Sequence, residues 1–360
     1  MHIPATQKAL VYDKPGTISA KLVNIPVPTP RDGEVLIRLL YSGVCHSDLG
    51  IMCNSWSALP EPTPEHQVGG HEGIGEVVQL GPRNDRSNLK IGDRVGIKWI
   101  ASVCGTCEPC QSQSDGLCFN QAISGYYTPG TFQQYAVGPA SYVTPVPGGV
   151  SSPEAAPMLC AGMTVHSALR RTRTQPGQWV VVSGAGGGLG HIAVQLASRA
   201  LGLQVVGVDS RSKRDLVLES GAKHFVEVGA FETSDALSAH IKQLCDGLGA
   251  HAVVVCTAAN AAYGQATSFL RFNGTLVCVG IPEGEDRLVT GTAPGAMIAN
   301  QFTMTGSAVG NQEDAVAMLN YAAKGVIKTH ISVQPMSTLT SVFERMQQGK
   351  LQGRVVLDLG

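Results

Sequence analysis

The stretch that most restricts the fold is QWVVVSGAGGGLGHIAVQLASRALG, residues 178–202. A valine run, a turn made almost wholly of glycine and a segment with apolar residues at helical spacing follow one another without a break. That order reads as a buried strand, a tight turn and a helix, the unit from which a parallel α/β sheet is built. A glycine pattern alone is a weak signal, and here the flanking strand and helix give it weight. In AGGGLG, Ala185 stands at the first position of the G-x-G-x-x-G pattern, Gly187 at the second and Gly190 at the third. Gly187 lets the backbone approach a pyrophosphate, and Gly190 lets the helix lie close on the sheet. The start of the helix then offers free N–H groups to the negative charge. The whole turn, Gly184, Ala185, Gly186, Gly187, Gly188, Leu189 and Gly190, is therefore expected to cradle a dinucleotide. Asp209 lies 19 residues beyond Gly190, at the end of the next strand, VVGVD. A carboxylate there binds the adenosine ribose hydroxyls and repels a 2′-phosphate, which favours NAD(H). Arg211, Lys213 or Arg214 in the following SRSKR could pair with such a phosphate, so NADP(H) stays open.

The first 150 residues have a different texture. KALVYD, EVLIRLLYSGV, GIGEVVQLG, DRVGIKWI and FQQYAVGP are short β-rich runs broken by Gly and Pro, which suits an irregular, partly barrel-like β domain. From about residue 160 the chain alternates strand and helix, with QVVGVD, AHAVVVC, NGTLVCVGIP and FTMTGSAVG as further strands. That alternation implies right-handed crossovers and a parallel sheet. After about residue 310 a helix, EDAVAMLNYAAKG, leads to the tail GRVVLDLG, which reads as an edge strand returning to the first domain. The expected division is 1–160 with 310–360 as one domain and 161–309 as the other. A chain of 360 residues, 43% hydrophobic and 15% charged, is long enough for two such cores. A net charge of −1 gives no reason to expect a nucleic-acid or anionic-membrane partner. With no apolar run of membrane-spanning length and no signal-like amino terminus, a cytoplasmic protein is expected.

That placement governs how ten cysteines are read. CGTCEPCQSQSDGLC packs Cys104, Cys107, Cys110 and Cys118 into residues 104–118. In a reducing compartment such a cluster points to metal, with disulfides as the alternative. Thiolates separated by turn formers such as Gly105 and Pro109 can close around one zinc ion. Four sulfurs leave no open position, so the site would fix a loop and do no chemistry. No basic residue lies between Cys104 and Cys118, and Glu108 and Asp115 are acidic, unlike a nucleic-acid-binding ribbon. Chemistry is sought instead in GVCHSD, GGHEG and LCAG, which supply Cys45, His71 and Cys160. Two thiolates and an imidazole make a zinc site with a fourth place open. Beside a nicotinamide, such an ion lowers the pKa of an alcohol and stabilises the alkoxide from which hydride leaves. Cys53, Cys245, Cys256 and Cys278 read as small apolar packing residues.

Taken together, PRDGEVLIRLLYSGVCHSD, VGGHEGIGEVV, IGDRVGIKW, GTFQQYAV, LCAGMTV, SGAGGGLG, GSAVGN and GRVVLD resemble the medium-chain, zinc-dependent alcohol dehydrogenases. The resemblance covers nearly the whole chain and is strongest to the yeast and fungal ethanol-dehydrogenase-like branch. It implies a GroES-like catalytic domain, a Rossmann coenzyme domain, two zinc ions per subunit, and a homodimer or homotetramer. Cys45, His71 and Cys160 would bind the catalytic ion, with Glu72 as a transient ligand, and Cys104, Cys107, Cys110 and Cys118 the structural one. Ser47 would accept the alcohol proton, and Asp48 would orient the histidine ligand. His46 and Arg354 would meet the coenzyme pyrophosphate. Thr164 and the backbone of Val279, Gly280 and Ile281 would contact the nicotinamide, and Trp56 would line the substrate cleft. FTMTGSAVG is a candidate subunit contact.

Two features depart from that pattern. Gly50 in CHSDLG stands where many relatives carry a histidine that passes the proton to solvent, so the relay beyond Ser47 and the ribose must use water or another group. Gly50→His is therefore expected to change the pH profile of alcohol oxidation. The loop MCNSWSALPEPTPEHQ is longer than in the yeast-like pattern and is expected to edge the substrate entrance, with His66 on the surface. The reaction expected is hydride transfer between NAD(H) and an alcohol, aldehyde or ketone. The alternatives are reduction of a larger carbonyl or enone in a specialised pathway, reduction of a C=C bond, and a nonenzymatic dinucleotide-binding role. The intact zinc ligands argue against the last two.

Overall fold

Trp179–Ser183 is buried at every residue, which is why it reads as continuous valine with no polar alternation. It is a central strand in the computed structural model, which describes residues 2–56, 59–83, 88–282 and 293–360. The chain forms two units. One comprises Met1–Met163, Gly310–Gly325 and His330–Gly360, the other Thr164–Val309 and Val326–Thr329.

In the second unit six strands pair in parallel, in the order His224–Glu227, Gln204–Asp209, Trp179–Ser183, Ala250–Val255, Leu270–Cys278, Thr303–Gly306. This is the doubly wound order, and the direction of winding reverses beside Trp179–Ser183. The glycine turn that follows this strand therefore sits at the switch point, where such sheets bind nucleotides. Val181, Val206, Val208, Val253 and Leu276 form the core on one face. The expected helix begins at Gly190 and runs to Gln195, then continues as a π-helical turn, Leu196–Ala200. Gly190 is obligatory there, because a Cβ would stand 2.0 Å from the Gly184 carbonyl oxygen and 2.6 Å from Ala185 Cα.

The first unit is organised by Glu34–Val44. Along one side it pairs with Gly73–Leu80. Along the other, Tyr135–Pro139 takes its first half and Arg354–Asp358 its second. The tail was expected as an edge strand and is not one. Arg354–Asp358 also pairs in parallel with Ile331–Pro335, so its buried residues Arg354 to Leu357 are flanked on both sides. The expected single strand across DRVGIKWI is likewise divided into Arg94–Ile97 and Ile100–Ser102. The break falls at Lys98, whose side chain is buried and donates from Nζ to the Tyr142 carbonyl at 2.6 Å. Ala20–Pro26, which pairs with Thr6–Tyr12, escaped the sequence reading because it has no fully buried residue. Among the described residues no helix is long and apolar enough to cross a membrane.

Candidate catalytic metal centre and dinucleotide site

The candidate metal centre begins at the end of Glu34–Val44. Cys45 follows that strand and caps the helix His46–Met52, which carries Ser47 and Asp48 in its first turn. Asp48 Oδ2 accepts the Cys45 N–H at 2.8 Å, and its Oδ1 lies 2.7 Å from His71 Nδ1. One buried carboxylate thus fixes a thiol and an imidazole together. His71 and Glu72 precede the strand Gly73–Leu80, and Cys160 sits between the 3-10 turn Ala156–Leu159 and the helix Ala161–Arg171. Three segments distant in sequence converge, and the ligand atoms of Cys45, His71, Glu72 and Cys160 all lie within 4.8 Å of one another.

The spacing fits a metal ion. Zinc–sulfur bonds of about 2.3 Å at the tetrahedral angle place two sulfurs about 3.8 Å apart. The Cys45 and Cys160 sulfurs are 3.9 Å apart, and His71 Nε2 is 3.3 Å from the Cys160 sulfur. The electrostatics describe the same demand for positive charge. A hydrogen bond from the Cys160 thiol holds Cys45 well below the ordinary thiol range, against burial. That bond and burial together push Cys160 up. Burial lowers the basicity of His71, but the charge and hydrogen bond of Asp48 prevail and hold it well above its usual value. Burial pushes the Glu72 carboxyl up to about 7 against the pull of Arg354. Glu72 Oε1 pairs with the buried Arg354 guanidinium, while Oε2 is buried without a hydrogen-bond partner among the described residues. An unpaired buried carboxylate oxygen is costly, and it is one of the atoms a cation at this point would satisfy. Gly43 makes this possible, since a Cβ there would stand 2.0 Å from Glu72 Oε2.

In the cysteine-rich lobe the Cys107–Cys110, Cys104–Cys118 and Cys107–Cys118 sulfur separations are 3.5, 3.6 and 3.8 Å. Those lengths match tetrahedron edges, and a disulfide needs about 2.05 Å. All ten cysteines are free. The N–H groups of Cys104 and Asn120 donate to the Cys118 sulfur at 3.3 Å each, which suits a thiolate.

The second unit holds most of the residues expected to meet a dinucleotide, with His46 and Arg354 in the first. Asp209 ends its strand with both oxygens engaged. Oδ2 accepts the Gly186 N–H at 2.8 Å and Oδ1 the Ser210 N–H at 2.7 Å. Lys213 Nζ lies 3.8 Å from Oδ1, whereas Arg211 and Arg214 are exposed. Gly187, Gly188 and Leu189 are half-buried in the turn. Val279, Gly280 and Ile281 follow the strand Leu270–Cys278, where the Gly280 N–H donates to the Val255 carbonyl at 2.9 Å. Thr164 is buried in the helix Ala161–Arg171.

Other expected residues fall as follows. Ser47 is half-buried, with Oγ 3.6 Å from the Cys45 sulfur, and His46 is half-buried at the start of the same helix. Arg354 is engaged with Glu72 within the first unit. His66 is exposed. In the loop between the ligand segments, Ser57 and Ala58 lie outside the described residues. Two neighbours of the candidate site were missed. Trp99 packs edge-on against His71 at 4.8 Å between ring centroids, and Trp56 in turn lies 6.1 Å from Trp99. The buried Tyr12 hydroxyl donates to the Asp48 carbonyl at 3.3 Å. Trp99 was already in the IGDRVGIKW motif, but nothing local to that motif says which ligand its ring will meet.

Comparison with known proteins adds to this geometry. A family profile described as alcohol dehydrogenase GroES-like domain matches residues 31–148, and one described as zinc-binding dehydrogenase matches residues 188–324. The chain is 60% identical to alcohol dehydrogenase 2 of Emericella nidulans, over 99% of this chain and 98% of the relative. It is 39% identical to an alcohol dehydrogenase of Schizosaccharomyces pombe, over 100% and 99%. Among solved structures it is similar to the Aeropyrum pernix alcohol dehydrogenase, with a TM-score of 0.86 and 27% identity over 98% and 99% of the two chains. It is also similar to an acetophenone reductase from Geotrichum candidum in complex with NAD, with a TM-score of 0.85 and 26% identity over 99% and 98%.

Proposed function

This chain belongs to the medium-chain, zinc-binding alcohol dehydrogenases, and from that premise we propose how its own residues carry out hydride transfer between NAD(H) and an alcohol, aldehyde or ketone. The observation that carries the proposal is the convergence of two sulfurs and one imidazole nitrogen at zinc-like spacing, on a histidine already held by a carboxylate. Cys45, His71 and Cys160 hold the catalytic ion, Glu72 stands within reach of it, and Cys104, Cys107, Cys110 and Cys118 hold the structural one. Bound there, zinc supplies Lewis acidity for the substrate oxygen, and bound NAD supplies the hydride acceptor.

The rest is done by side chains. Asp48 keeps the His71 proton on Nδ1, so that the Nε2 lone pair is free. Ser47 Oγ would take the proton from the alcohol, and water would carry it onward, since Gly50 has no group to receive it. Burial of His71, Glu72, Cys45 and Cys160 keeps bulk water from diluting the charges. Asp209 binds the adenosine ribose and orders the turn through Gly186, which favours NAD(H). Lys213 is drawn toward that carboxylate, which leaves Arg211 and Arg214 the less favoured partners for a 2′-phosphate. His46 and Arg354 face the pyrophosphate in this reading, Thr164 and Val279–Ile281 the nicotinamide, and Trp56 the substrate. A cytoplasmic homodimer or homotetramer belongs to the same reading. What supports the oligomer is the outermost strand Thr303–Gly306 and the exposure of Phe272 and Ile298 on neighbouring segments.

The test is NAD reduction with a panel of primary and secondary alcohols, and NADH oxidation with the matching carbonyls, before and after treatment with a zinc chelator. Turnover that the chelator abolishes and zinc restores is expected. Turnover that survives complete removal of zinc would contradict the proposal.

A further inference from the structure

Gly50 lies in the last turn of the helix His46–Met52, where it is fully enclosed. Glycine is a poor choice inside a buried helix, so its presence there calls for a packing reason. The reason is the Trp56 indole. A Cβ at position 50 would stand 2.9 Å from Trp56 Cε2, 3.0 Å from Nε1 and 3.3 Å from Cζ2. The chain is turned back onto that spot by Ser55, whose N–H and hydroxyl donate to the Gly50 carbonyl at 2.9 and 3.3 Å. Trp56 Nε1 is buried and has no hydrogen-bond partner among the described residues, so packing against Gly50 helps to set where the indole lies. Its ring is 6.1 Å from Trp99, and Trp99 packs on His71. Trp56 is thus the second ring out from a catalytic metal ligand.

We propose that Gly50 is a positioning residue for substrate specificity. Its missing side chain is the seat that holds the Trp56 indole as a wall of the substrate space, and any larger residue there displaces the wall. The inference rests on the alcohol-oxidoreductase reading above. It also changes what position 50 means. A histidine placed there does not simply restore a proton relay; it evicts the indole. The effects of Gly50→His on pH dependence and on substrate choice must therefore be separated with a residue that has bulk and no proton.

Gly50→Ala makes that separation. The zinc-loaded wild type, Gly50→Ala, Trp56→Ala and the double variant are compared by kcat/KM across straight-chain primary alcohols from ethanol to hexanol. Tryptophan emission and its quenching by acrylamide are recorded on the same samples. Gly50→Ala is expected to change the hexanol-to-ethanol ratio of kcat/KM by about tenfold, the scale of one misfitted carbon in an apolar pocket. The pH profile should keep its shape, because alanine carries no proton. Emission should shift in Gly50→Ala relative to wild type, whereas adding Gly50→Ala to Trp56→Ala should leave emission as it was. In that background the ratio should move by less than about twofold, as expected when one residue acts only through the other. An unchanged ratio with unchanged emission overturns the proposal, as does an effect of equal size with Trp56 removed. If Gly50→Ala does not fold, recovery of folding in the double variant supports the seat, and failure of both overturns it. If the wild type turns over no alcohol, the functional reading fails, and the emission comparison still decides whether Gly50 seats the indole.

Discussion

Lys98 gives the sharpest quantitative prediction outside the metal site. It is 1% exposed, its Nζ lies 3.4 Å from the centre of the Tyr142 ring, and Tyr142 in turn donates its hydroxyl to Asp115 in the cysteine-rich lobe at 2.6 Å. Burial drives the ammonium pKa down from 10.5 to about 7, with only partial compensation from Asp115. Between those two values the unfolded chain holds a proton that the folded chain has shed, so stability rises with pH across that window. At about 1.4 kcal/mol per unit, and allowing for half-protonation at neutrality, the gain between pH 7 and pH 9 is about 2 kcal/mol. Tyr142 stays neutral throughout, pushed up by burial and by Asp115. Lys98→Met keeps the length of the side chain and removes the titration. Urea unfolding of both zinc-loaded proteins at pH 7 and pH 9 cancels every other titrating group in the difference. Relative to the variant, the wild type should gain about 2 kcal/mol over that interval. A difference that stays constant with pH, or moves the other way, would refute the account of a buried amine.

Two further outcomes follow from the site. Asp48→Ala removes the acceptor that holds both His71 and Cys45, and should weaken catalytic zinc binding by about 10–100-fold. Chelator competition should show the ion of the cysteine-rich lobe unaffected, and equal weakening at both sites would show that Asp48 acts on folding alone. Asp209→Ala removes the acceptor for the Gly186 and Ser210 N–H groups, and should lower the NADH-to-NADPH ratio of kcat/KM by about tenfold or more. A ratio that does not fall would assign coenzyme choice to other residues.

Much of this was legible because the chemistry is local. The turn at residues 184–190 and the cluster at residues 104–118 each carry their spacing within one short segment, and backbone geometry does the rest. Cys45, His71 and Cys160 are far apart in the chain; ligand chemistry alone suggested grouping them, and the resemblance then assigned them to the catalytic ion. What stayed hidden was tertiary in origin. The tail Arg354–Asp358 looked like an edge because pairing on its second side comes from Ile331–Pro335, a strand with no fully buried residue of its own. Gly50 looked like a lost relay because sequence shows which side chain is absent and not which ring fills the space. Lys98 fell inside the single strand expected across DRVGIKWI, and only its contacts with Tyr142 reveal a buried amine.

The central claim is that three ligands hold a catalytic ion apart from a closed four-sulfur site, and metal content tests it most directly. Purified wild-type protein should contain two zinc ions per chain by inductively coupled plasma mass spectrometry, and Cys160→Ala should contain one, with turnover lost. One ion in the wild type, or two retained by an active Cys160→Ala, would contradict the account.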